Sequence, residues 1–152
     1  MTPITVLIVD DEVGFATPLS KRLNKRGIDT RLVTSGRDAL MVLAEVEVDV
    51  TLLDVMMPGM DGIKTLGEIK RLHPDNQVLM FTAHSNSDMV ISCLAMGAYD
   101  YVMKPGGLDE LVGKIREAAQ KRQRNLAQDI GPETTTGHCC PVRSRWYPSI
   151  SA

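Results

Sequence analysis

Cysteine is scarce and poorly placed for cross-linking. Cys93 stands alone, Cys139 and Cys140 are adjacent, and three such residues build no disulfide framework. A reduced, cytoplasmic protein is the expectation. Long apolar runs are missing as well, none approaching the roughly 20 residues needed to cross a bilayer. Met1-Thr2-Pro3-Ile4 has no basic stretch ahead of an apolar one, so a secretory signal is not expected. Nor is there an excess of one charge. With 17 basic and 19 acidic residues the formal net charge is −2, and the basic footprint of a nucleic-acid binder is absent. Internal repeats are lacking. What remains is a chain of 152 residues, 43% hydrophobic and 24% charged, in the proportions of one soluble globular domain.

Short apolar runs alternate with amphipathic stretches over residues 4–124. Ile4 to Val9 is β-branched and apolar on both faces, as a strand covered on both sides must be. Val48 to Leu53, Val78 to Phe81 and Tyr101 to Met103 read alike, and the more polar Thr30 to Thr34 suits a strand near an edge. Between them Phe15, Leu19 and Leu23 recur at helical spacing and Gly27 stops the helix. A second helix opens near Ser35-Gly36. A third carries Ile63, Leu66, Ile69 and Leu72, with Asp61 as its expected N-cap. Met89 to Leu94 mark a fourth, closed by Gly97, with Cys93 as core. Leu108, Leu111, Val112, Ile115 and Ala119 mark a fifth. Alternation of this kind predicts an α/β fold: a doubly wound, five-stranded parallel sheet of order 2-1-3-4-5 with five helices on both faces, flavodoxin-like. Residues 1–125 form the expected domain. Residues 126–152, with Gly131-Pro132 and Thr134-Thr135-Thr136, read as linker or disordered tail without a recognisable output domain. His138-Cys139-Cys140 within it are too close in sequence to close a tetrahedral zinc site.

Ligands of such sheets bind beyond the carboxyl ends of the strands, at the switch point between strands 1 and 3. The reactive side chains collect there. Strand 1 ends in Asp10-Asp11-Glu12, strand 3 in Asp54, strand 4 in Thr82 and strand 5 in Lys104. Taken alone, the paired acids would only cap a helix. Carboxylates converging from two strands repel each other unless a divalent ion compensates, and oxygen donors without a His/Cys set suit Mg²⁺ rather than zinc. A carboxylate nucleophile, a Lewis acid, a cation and a hydroxyl together make a phosphoryl-transfer site.

Val9-Asp10-Asp11-Glu12, Leu53-Asp54 through Asp61-Gly62, Thr82-Ala83 and Lys104-Pro105 resemble, in order and spacing, the signature of the receiver domains of two-component response regulators. The resemblance covers residues 4 to about 124. It implies that Asp54 accepts a phosphoryl group from a phosphohistidine on a sensor histidine kinase. It implies Mg²⁺ held by Asp11 directly, by Asp10 largely through water, by Asp54 and by the Met56 carbonyl. Thr82 and Lys104 would hold phosphoryl oxygens, with the N–H groups of Met56 and Ala83, and the Lys104–Pro105 bond would be cis. Phosphorylation would draw in the Thr82 hydroxyl and let Tyr101 turn inward, altering the surface of helix 4, strand 5 and helix 5 for a downstream protein or a second copy. The chain is not expected to be an enzyme beyond its own phosphorylation and dephosphorylation.

The sequence departs from the pattern in places. Gly106-Gly107 follows Lys104-Pro105 where receivers often carry an aromatic residue. Met56 brings no group to align an attacking water, and His84 occupies the other flanking position, so hydrolysis that is not especially fast is expected. Alternative readings are a phosphorelay receiver cut from a hybrid kinase or longer regulator, a degenerate receiver that binds without phosphorylation, and an aspartyl-nucleophile phosphatase. The last needs a second acid two residues after the nucleophile, where Met56 stands.

Overall fold

Strand and helix alternate through β1 (Thr5–Val9), α1 (Val13–Lys25), β2 (Asp29–Val33), α2 (Gly36–Glu45) and β3 (Val50–Leu53). They continue through α3 (Gly62–Leu72), β4 (Gln77–Thr82), α4 (Ser87–Ala95), β5 (Asp100–Met103) and α5 (Leu108–Thr135). This computed structural model describes residues 3–55, 62–82, 87–103 and 107–135, the side chains of 82, 87, 89 and 128–135 excepted. The strands are all parallel in the order β2-β1-β3-β4-β5, which is the expected doubly wound sheet.

Successive strand residues point to opposite faces, so the continuous apolar runs feed two cores at once. Val6, Ile8, Val50, Leu52, Leu79 and Phe81 pack with α1 and α5 through Leu19, Leu23, Leu111 and Ile115. Leu7, Val9, Leu53, Val78 and Met80 pack with α2, α3 and α4 through Leu43, Leu66, Ile69 and Cys93. Burying each such side chain is worth about 1.5–3 kcal/mol, and neither face could be left open. The edge strand β2 is only half covered, which accounts for its polar sequence.

Local signals set the helix ends. Gly27 and Gly97 take positive φ, +81° and +109°, just past α1 and α4, where a side chain would be strained. Ser35 caps α2 by accepting the Asp38 N–H at 3.1 Å. The expected cap of α3, Asp61, lies outside the described residues. α5 differs from expectation in length. Apolar periodicity fades near residue 124, yet the helix runs on to Thr135, through residues assigned to the linker. Leu126, Ala127 and Gln128 are good helix formers, and extending a formed helix costs little compared with nucleating one.

At the amino-terminal edge of the sheet, α5 is tied to the start of β3. Arg122 donates from Nη1 to Asp49 Oδ1 at 2.8 Å and from Nη2 to Glu47 Oε1 at 3.1 Å. Asp49 Oδ2 also accepts the Thr5 N–H at 3.0 Å, so one carboxylate joins α5 to the entries of β1 and β3. Nearby, Asn76 accepts from the buried Thr51 hydroxyl at 2.7 Å and donates to the Val48 carbonyl at 2.9 Å. β3 is thus held firmly at the end remote from Asp54.

Candidate functional site

Parallel pairing aligns Val9 with Leu53, so the residues that follow them emerge side by side. The Asp54 N–H donates to the Val9 carbonyl at 3.0 Å, and the Asp10 N–H to the Val33 carbonyl at 3.1 Å, extending the ladder one residue past the strands. Both side chains are buried, Asp10 2% and Asp54 5% exposed. Glu12 is exposed but folds back beside them: its N–H donates to Asp10 Oδ1 at 2.9 Å, closing a two-residue turn. One carboxylate oxygen from each of Asp10, Glu12 and Asp54 lies within 4.8 Å of the others.

At that separation two negative charges repel by about 3 kcal/mol at an effective dielectric of about 20. Three carboxylates converging on one point therefore favour a cation among them. The donors are all hard oxygens, two on strand ends and one on a turn, and a divalent ion of the magnesium type suits them. No such ion is required to explain the fold.

The expected metal positions are only partly assembled. Asp10 and Asp54 come together as the strand register requires. Asp11 is exposed, at the corner of the turn, and is not in the cluster. The third carboxylate of the cluster is that of Glu12. The pattern Asp-x-Glu directly after a buried strand was the available signal, because an aspartate commonly accepts the N–H two residues on and thereby turns the second acid toward itself. Met56, Ala83, His84, Lys104 and Pro105 lie outside the described residues, as does the side chain of Thr82. The backbone of Thr82 ends β4 and pairs with Met103, so β4 and β5 end at the same edge of the sheet as β3.

Tyr101, the expected switch residue, is half-buried on β5 and packs against the core on the α2, α3 and α4 side. The Lys114 ammonium lies 5.9 Å from its ring centroid, donates to the Tyr101 carbonyl at 3.3 Å and pairs with Asp100 at 2.8 Å. That pairing with Asp100 raises the Lys114 pKa above its ordinary value despite some loss from burial. Tyr101 is therefore flanked by a lysine held charged, which links β5 to α5. On the opposite face, Phe81, just before Thr82, meets Phe15 of α1 in a tilted ring pair with centroids 5.6 Å apart.

The sequence profile of the response regulator receiver domain matches residues 6–116. The regulatory protein AtoC of Escherichia coli is 38% identical over 144 residues, covering 91% of this chain and 31% of that protein. The DNA-binding transcriptional regulator NtrC of Salmonella typhimurium is 37% identical over 134 residues, 85% of this chain and 28% of that protein. The chain thus spans less than a third of these curated relatives. Among solved structures, the receiver domain of NtrX from Brucella abortus superposes with a TM-score of 0.72 at 32% identity, over 76% of this chain and 98% of that one.

Proposed function

Because the chain belongs to the response regulator receiver family, we propose that Asp54 accepts a phosphoryl group from a phosphohistidine of a sensor histidine kinase and so switches a protein-binding surface. The observation that carries this reading is the buried Asp54 carboxylate gathered with Asp10 and Glu12 at the carboxyl edge of the sheet. An Asp54 oxygen forms the bond to phosphorus as the P–N bond breaks, and the departing imidazole keeps the electron pair. Burial just past the end of β3 fixes the direction of that oxygen, so much of the catalysis is positioning.

Asp10, Glu12 and Asp54 offer oxygens that would hold Mg²⁺, with Asp11 and the Met56 carbonyl as the further positions implied by family resemblance. When bound, the ion offsets negative charge on the phosphoryl oxygens. Thr82 and Lys104 act on the same oxygens in this reading. Tyr101 responds to the Thr82 movement, and the α4–β5–α5 surface carries the signal to a downstream protein or a second copy. The apolar side chains of Ile91 and Leu94 stand 63% and 41% exposed there, as a contact surface requires. The kinase is the partner on the input side, and the chain acts in the cytoplasm. Contact with nucleic acid through residues 1–125 is not part of the reading, and residues 126–152 connect rather than act. No helix among the described residues is long and apolar enough to cross a membrane. The phosphatase alternative is not favoured, since Met56 supplies no general acid.

The test is incubation with acetyl phosphate and Mg²⁺, followed by intact mass. The chain should gain one phosphoryl mass, and Asp54→Ala should gain none. An unmodified wild-type chain, or an equally modified Asp54→Ala, defeats the proposal.

A further inference from the structure

Gly62 is the first residue of α3 and is buried. Its N–H donates to the Val55 carbonyl at 3.1 Å, closing the β3–α3 connection directly behind Asp54. A Cβ built on Gly62 would lie 2.5 Å from Val55 Cα and 2.9 Å from Val55 O, and would collide with the Asp54 carbonyl as well. All three atoms are backbone, so no side chain can swing aside. The φ of Gly62 is not positive. The requirement for glycine is therefore one of space, created by the close approach of the two segments.

Which segment would yield is set by how each is anchored. The first turns of α3 are fixed by Thr65, Leu66 and Ile69, all fully buried. β3 is fixed up to Leu53 by pairing on both sides. Asp54 and Val55 lie beyond the residues paired on both sides, with the Asp54 N–H still bonded to the Val9 carbonyl. A shift there acts directly on the residue that carries the carboxylate. An added methyl at residue 62 would push Asp54 and Val55 away from α3 and carry the Asp54 carboxylate out of alignment with Asp10.

We infer that Gly62 is a positioning residue for phosphoryl transfer: the bare Cα at the start of α3 lets the Asp54 backbone sit where its carboxylate joins Asp10 and Glu12. This rests on the reading of Asp54 as the acceptor. A displacement of about 1 Å at a reacting group commonly costs on the order of 100-fold in rate.

The experiment compares Gly62→Ala with two control glycines. A Cβ at Gly67 meets only the flexible Met96 methyl at 3.2 Å, and one at Gly113 meets nothing within 4 Å. For each variant, phosphorylation by acetyl phosphate is timed by intact mass, Mg²⁺ affinity is measured by calorimetry, and folding is measured by urea denaturation. In folded Gly62→Ala, phosphorylation should slow by about 10- to 100-fold and Mg²⁺ binding should weaken, while Gly67→Ala and Gly113→Ala stay within about twofold of wild type. A merely structural role would lower stability and leave both site readouts unchanged in the folded protein, and that result overturns the inference. If Gly62→Ala does not fold, amide exchange in the wild-type chain decides. The Gly62 N–H should be protected to the same order as the β3 amides, with and without beryllofluoride, and rapid exchange overturns the inference. A wild-type chain that takes no phosphoryl group refutes the acceptor role instead, so the two failures are distinct.

Discussion

Replacing Arg122 with methionine should cost about 2–4 kcal/mol of folding stability, and the structure indicates where that energy resides. The Arg122 and Asp49 side chains are 10% and 13% exposed and meet at 2.8 Å, so their pairing is largely shielded from solvent. Breaking a buried pair by removing one member typically costs about 3–5 kcal/mol, because the other charge stays behind. Two features move the value to the lower side of that range. Asp49 keeps the Thr5 N–H, and the Glu47 partner is 78% exposed, where such contacts contribute about 0–1 kcal/mol. Arg122 Nε is moreover buried without a hydrogen-bond partner among the described residues, a standing cost that methionine removes. Urea denaturation followed by circular dichroism measures the change, which corresponds to roughly 5–15 °C in Tm for a domain of this size. The second arm is Asp49→Asn, which retains an acceptor for Thr5. Combined with Arg122→Met it should destabilise by at least about 1 kcal/mol less than the sum of the single variants. Additive losses, or a single-variant cost below about 1 kcal/mol, would refute the view that a desolvated ion pair fastens α5 to β3.

Other consequences can be measured on the same protein. Asp10→Asn should weaken Mg²⁺ binding at least about tenfold by calorimetry, since second partners and ligands of metal sites are commonly worth 10- to 100-fold. If the cluster in the structure is the binding set, Glu12→Gln should weaken it more than Asp11→Asn does, and the reverse order would return the metal to Asp11. His73 is half-buried, and burial lowers its pKa from the usual 6.5, so the folded chain binds a proton less readily than the unfolded one. Stability from this group is therefore present above about pH 6.5 and declines as the pH falls below it. His73→Gln should reduce the loss of urea resistance between pH 7.5 and pH 5.5, and an unchanged loss would contradict the assignment. Leu66→Ala, at a fully buried position, should cost about 2–5 kcal/mol by the same denaturation measurement.

The sheet was readable because its strands are covered on both faces. Ile4 to Val9 is apolar on both faces and Val48 to Leu53 is interrupted only by Asp49 and Thr51, and a run that short bounded by turn residues fits a central parallel strand. Gly27, Ser35 and Gly97 punctuated the helices for steric and hydrogen-bonding reasons that act locally, so they too were legible. Asp10 and Asp54 were placed together by topology alone. Glu12 stood in the acidic run but was not assigned a place beside Asp54, because that place depends on a hydrogen bond across a two-residue turn rather than on periodicity. The length of α5 was missed for a related reason. From Gln123 to Ala127 its residues are exposed or only half-buried, so hydrophobic spacing is silent and only propensity speaks. Gly62 stood in the sequence as part of a motif, but the contact that requires it is with backbone, and no pattern of side chains records that.

The overrun of α5 gives the domain a mechanical arm. Arg122 is clamped to Asp49, which stands at the entry to β3, five positions before Asp54. The helix continues for 13 residues beyond that clamp to Thr135, about 20 Å at 1.5 Å per residue. With Arg122 as fulcrum, a tilt of about 5° moves the tip by nearly 2 Å, roughly the rise of one helical residue. Small rotations too slight to disturb either core would thus be delivered, enlarged, to whatever is joined at the far end.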